Sequence, residues 1–127
     1  MITILTLCIL ASCSTKKEAE TLPVEVKEGS PVRMTYRRMW EYSAKGESED
    51  PDYINEVLSF IRSFQIGEES QMVWEDYTDI ITIFYADGSE VSYEFEENNL
   101  VENGRRLKVQ GNLSGLRTLL ERCLEEE

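Results

Sequence analysis

The chain has 127 residues, with 25 acidic and 13 basic side chains, no histidine and a formal net charge of −12. That length fits one domain. The charge excludes a general nucleic-acid binder, which needs a basic face, and the missing imidazole excludes every mechanism that uses one as base or metal ligand.

Residues 1–11 carry no charge and are mostly apolar, and a polar stretch, Ser14-Thr15-Lys16-Lys17-Glu18-Ala19-Glu20, follows almost at once. The apolar run is about half the ~20 residues a helix needs to cross a bilayer. A short apolar run, small residues and an abrupt polar stretch fit a secretory signal better than a core helix. Leu10-Ala11-Ser12-Cys13 resembles the lipobox of bacterial lipoprotein precursors: an aliphatic residue, two small residues, then cysteine. The resemblance implies cleavage between Ser12 and Cys13, a diacylglyceryl group on the Cys13 thiol, and a body held at the cell envelope outside the cytoplasm. Residues 1–12 are then the signal peptide. Residues 13–31 are the lipidated cysteine and a charged tether, low in apolar content and without periodicity, reaching roughly 20–25 Å as a flexible coil.

Residues 32–127 form the expected domain. Val32 to Trp40 alternates, with Val32, Met34, Tyr36 and Trp40 on one face and Arg33, Thr35 and Arg37 on the other, which predicts a strand; Arg38 breaks the apolar face. Lys45 to Asp52 reads as a polar loop. Asp50-Pro51 reads as a helix cap and first helical position. Ile54, Val57, Leu58, Ile61 and Phe64 follow at helical spacing, with Gly67 as the stop. Glu68 to Asp79 is ambiguous: Met72, Val73, Trp74 and Tyr77 suit a short strand or a packed loop.

Asp87-Gly88 between two β-rich runs signals a two-residue hairpin, setting Phe84 opposite Val91, Thr82 opposite Tyr93 and Ile80 opposite Phe95 as the core face. Asn103-Gly104 repeats the signal and sets Leu100 opposite Leu107. A loop at Glu96-Glu97-Asn98-Asn99 sets Phe95 opposite Leu100. Leu113, Leu116, Leu119, Leu120, Cys123 and Leu124 predict a last helix, capped by Asn112 or Ser114, with Arg117 and Arg122 outside and a fraying end. The order β-α-(β)-β-β-β-α predicts an α+β domain: an antiparallel sheet of about four strands with two helices on one face. This pattern loosely resembles small extracytoplasmic lipoprotein domains of bacteria.

Chemistry-bearing patterns are sparse. Cys123 alone remains in the mature body, on an apolar stripe that suits a buried thiol. Glu75, Asp76, Asp79 and Asp87 have no spacing that defines an acid/base pair, and Glu96-Asn99 offers at most opportunistic Ca²⁺ oxygens. Asn112-Leu113-Ser114 fits a glycosylation pattern, but it opens a helix. No nucleophile–base arrangement or phosphate-binding glycine loop is legible, so no enzyme activity, cofactor or metal is expected. Arg33, Arg37, Tyr85 and Glu94 define a candidate binding face on the uncovered side of the sheet, with cross-strand pairing to Glu90 and Glu94 as the plain structural use of the arginines. Trp40, Tyr42, Trp74 and Tyr77 form an aromatic group suited to core packing or to a carbohydrate or peptide face. The reading is a membrane-tethered, non-enzymatic binding or accessory module for an envelope protein or extracellular ligand. The alternative is a small acidic inhibitor of an envelope or host hydrolase, inserting the Asp87-Gly88 or Asn103-Gly104 hairpin.

Overall fold

A computed structural model describes residues 21–70 and 77–126. In chain order the elements are β1 (Leu22–Pro23), β2 (Pro31–Met39), β3 (Ser43–Ser48), α1 (Pro51–Arg62), β4 (Gln65–Glu69), β5 (Thr78–Tyr85), β6 (Glu90–Glu96), β7 (Asn99–Glu102), β8 (Arg105–Gln110), α2 (Leu113–Leu120), a 3-10 turn (Glu121–Cys123) and β9 (Leu124–Glu126). The nine strands make one sheet in the order β1-β4-β8-β7-β6-β5-β2-β3-β9, and every adjacent pair is antiparallel. This corrects the expected α+β domain of about four strands: the fold is mostly sheet, with two helices added to it. The unforeseen strands β1, β3, β4 and β9 are short and rich in Gly, Ser, Lys and Glu. Pairing with a neighbour makes them strands, not their own propensity.

Helix α1 starts as its sequence dictates. The Asp50 side chain accepts the Asp52 N–H at 3.0 Å, and Pro51 occupies the first turn, where its missing N–H costs nothing. It ends at Arg62 rather than Gly67; Ser63 donates its N–H to the Ser59 and Phe60 carbonyls, and Gly67 lies inside β4. Helix α2 is capped by Asn112, whose side chain accepts the Gly115 N–H at 2.9 Å. It stops at Leu120, so the expected continuation through Leu124 is instead a 3-10 turn and strand β9 against β3. Gly46 permits that return, since a Cβ there would sit 2.0 Å from the Cys123 carbonyl oxygen.

The core joins the buried stripes of both helices to one face of the sheet, including Met34, Tyr36, Ile81, Ile83, Tyr93 and Phe95. The β5–β6 register differs from expectation by one residue: Ile83 faces Val91, Ile81 faces Tyr93 and Thr82 faces Ser92. Because side chains alternate, that slip places Ile80, Thr82 and Phe84 on the side away from the helices. Its cause is a three-residue loop, Ala86 to Gly88, in which only Gly88 takes positive φ (+90°). The second hairpin keeps its register, with Leu100 opposite Leu107 and Phe95 opposite Leu100.

The stretch expected as a tether to residue 31 is part of the body from Leu22 onward. Leu22 and Pro23 pair with β4, Val24 is buried in the core, and the Val24 N–H reaches the Phe64 carbonyl at 3.2 Å. Its charge and low apolar content concealed two valines that supply the contacts, Val24 and the partly buried Val26.

Candidate functional site

On the side of the sheet away from the helices, one register row runs Val101, Glu94, Ile80, Arg37, Lys45, Glu125 across β7, β6, β5, β2, β3 and β9. The next runs Ser92, Thr82, Thr35, Glu47. A groove of about 390 Å³ opens over these rows, lined by Thr35, Arg37, Lys45, Glu47, Ile80, Thr82 and Glu125 among others. Arg33, Arg37 and Glu94 therefore share a face, as expected from alternation. Tyr85 does not: it lies on the core side, buried, with Lys27 Nζ 5.4 Å from its ring centroid. Burial raises the Tyr85 phenol above its ordinary pKa.

Arg33 pairs with Glu47 at 3.0 Å and stacks over Phe84, its guanidinium carbon 5.0 Å from the ring centroid. The expected partners Glu90 and Glu94 belong to β6, which β5 separates from β2. Missing β3 hid the real partner, Glu47, and also Lys45, which stands directly opposite Arg37.

A second constellation lies under the sheet, where Arg38 faces Asp79 in register and each is 1% exposed. Arg38 Nε donates to the Tyr36 oxygen at 2.7 Å and lies 3.6 Å from Asp79 Oδ1; Tyr36 in turn donates to Asp79. Arg117, expected on the outside of its helix, donates to Asp79 Oδ2 at 2.7 Å and to the Glu97 carbonyl at 2.6 Å. Burial, then the Asp79 charge, pushes the Tyr36 phenol far above its ordinary value. Each charge meets an opposite charge or a hydrogen-bond acceptor, which is the condition for burying it. The signal for this cluster was the arginine interrupting the apolar face of β2; its acid became visible only with the true β5 register.

Beside it, Trp40 carries the Arg38 guanidinium 3.9 Å from a ring centroid and meets Tyr77 and Tyr42 edge-on at 5.0 and 6.4 Å. Tyr42 and Tyr77 are 52% and 39% exposed and, with Glu41, Glu97 and Arg117, line a hollow of about 430 Å³. Glu96, read as at most an opportunistic calcium oxygen, pairs with Arg106, and the Asn99 amide donates to the Glu96 carbonyl. Among the described residues no group of three or more Cys, Asp or Glu is placed to hold a metal ion, and no helix is long and apolar enough to cross a membrane. Cys123 is partly buried, and burial raises its thiol pKa, which favours an inert thiol. Cys13, Trp74, Glu75 and Asp76 lie outside the described residues.

Comparison with protein-family models, with curated proteins and with solved structures finds no match.

Proposed function

We propose that the protein is a lipid-anchored, extracytoplasmic binding module, non-enzymatic, that receives its ligand or envelope partner on the sheet face around Arg37. The lipobox-like Leu10-Ala11-Ser12-Cys13 supports the anchor. The observation that carries the binding role is the juxtaposition of Arg37 and Lys45. Like charges directly opposite each other across two strands oppose folding, and among the described residues neither has an anion within salt-bridge distance. A chain of net charge −12 keeps this positive spot beside a groove. The buried Asp79 has both oxygens occupied by two guanidiniums and the Tyr36 phenol, which suits a structural role rather than an acid/base one.

The alternative inhibitor reading asks the Asp87-Gly88 loop to project a free side chain. Asp87 is instead turned back, accepting the Ser89 N–H and hydroxyl at 2.9 and 2.6 Å and pairing with Lys27 at 3.3 Å.

Two measurements test the proposal. Radiolabelled palmitate is expected to mark the chain, and Cys13→Ser to abolish the label. A photoreactive residue at Thr82 is expected to cross-link a discrete partner in native membranes, and Arg37→Glu to remove that product. An unlabelled chain refutes the anchor. A cross-link indifferent to Arg37→Glu refutes the binding face.

A further inference from the structure

We infer that the groove over β5, β2 and β3 is a site for the terminal carboxylate of a short peptide, with Arg37 and Lys45 as its two cationic ligands. This rests on the proposed binding role and names the chemistry of what is bound.

The geometry sets the polarity of the site. Arg37 and Lys45 are register partners on adjacent strands, so both side chains leave the sheet on the same side. Ile80 stands on the other side of Arg37, and Glu125 on the other side of Lys45. Glu47, one alternation along β3, is held by Arg33 at 3.0 Å. Across the next row the Thr82 hydroxyl is satisfied by Ser92 at 2.8 Å. Among the described residues neither cation has an anion within salt-bridge distance, although Glu125 is the register partner of Lys45. A guanidinium beside an ammonium suits a carboxylate, which takes two N–H donors from the first and one from the second.

Charge selects a peptide over a phosphate. The protein carries −12 overall, and Glu47, Glu94 and Glu125 rim the spot. Attraction to the two cations and repulsion from that field both scale with ligand charge, so what separates a peptide from phosphate is the positive amino end that a peptide also carries. The same rim favours a cationic amino end, which makes a zwitterion the best match. Ile80 and the methyl groups of Thr35 and Thr82 give the floor some apolar area. A volume of about 390 Å³ admits a few residues, not a folded chain.

The test uses full-length protein in detergent micelles and amide chemical shifts as the readout. Tri-alanine should move the amides of residues 35–37, 45–47 and 80–82 with saturation on the order of millimolar. Its C-terminal amide should bind about tenfold more weakly or worse, as should tri-alanine on Arg37→Gln or Lys45→Gln, whose unperturbed spectra elsewhere would report an intact fold. Inorganic phosphate should bind more weakly than tri-alanine. The inference is overturned if the amide binds equally well, if phosphate binds as tightly, if either variant binds like wild type, if the shifts map to another surface, or if none appears. These failures differ from failure of the broader reading. A cross-link at Thr82 that is lost in Arg37→Glu, without peptide binding, keeps the binding face and removes this ligand. Absent palmitate label removes the anchor and leaves the titration as it stands.

Discussion

Asp79 receives two guanidiniums and a phenol, and at 1% exposure it has no water to replace them. Neutralising it leaves the buried Arg38 with only the exposed Glu121 carboxylate, 3.4 Å away, as counter-charge, and breaking a buried pair costs about 3–5 kcal/mol. Asp79→Asn, which keeps the shape and removes the charge, is expected to lower the unfolding free energy by about that much, read as a lower urea midpoint with an unchanged slope. Asp87 is the opposite case, an exposed carboxylate held in place by donors. The Ser89 hydroxyl and N–H, with Lys27, bring it down to about 2. The fold favours its ionised form, so this contribution is complete above the ordinary carboxylate value of about 3.9 and is lost as pH falls towards 2. Carboxyl carbon shifts should give a midpoint near 2 for Asp87, and Ser89→Ala should move it up towards the ordinary range. Neither acid's role was legible in the sequence. Asp79 depends on a register that slips with one loop residue, and Asp87 depends on a lysine sixty residues earlier. Arg33, Arg37 and Glu94 were legible as one face because alternation alone assigns them, whereas Tyr85 fell on the wrong side with that register.

The two X-Gly turns show how local chemistry sets register. At Asn103-Gly104 both residues take positive φ, 54° and 80°, and the two-residue turn read from the sequence forms. At Asp87-Gly88 only the glycine does, because Asp87 bonds forward to Ser89 and stays out of the left-handed region. The chain then needs Ala86 as a third loop residue, and β5 turns over. The helix starts were legible because their caps are local, Asp50 for α1 and Asn112 for α2. Asn112→Ala should cost about 1 kcal/mol in thermal or urea unfolding, since it leaves a first-turn N–H unsatisfied. The end of α2 was not legible, because what stops it is space over Gly46 on a distant strand. Gly46→Ala is expected to detach β9: amide exchange at residues 124–126 should accelerate markedly while α1 and β5 keep their protection.

The inner strands were legible and the outer ones were not, which separates strands carrying their own apolar pattern from strands recruited by a neighbour's edge. The recruited ones leave the sheet ending in β1 and β9, of two and three residues, and edges that short offer little template for pairing with another copy. The core also sets an alkaline limit. Burial is the first cause in each case, raising the Tyr93 phenol to about 12 and the Tyr36 and Tyr53 phenols higher still. The folded state holds these protons while the unfolded chain releases them near 10. Stability is therefore unaffected by them below about 10 and falls as pH rises beyond it. Phenolate absorbance from these three should appear together with loss of the far-ultraviolet circular dichroism, and an early, non-cooperative rise would contradict their burial. The docking of Leu22 to Val24 on the body has a spatial consequence for a chain held at Cys13. Leu22 lies nine chain steps after Cys13, a leash of at most about 30 Å when taut. It fastens at one margin of the sheet, and β3 stands seven strand spacings away, roughly 35 Å across. On the proposed anchor, the groove over Arg37 therefore lies toward the margin of the sheet opposite the attachment point.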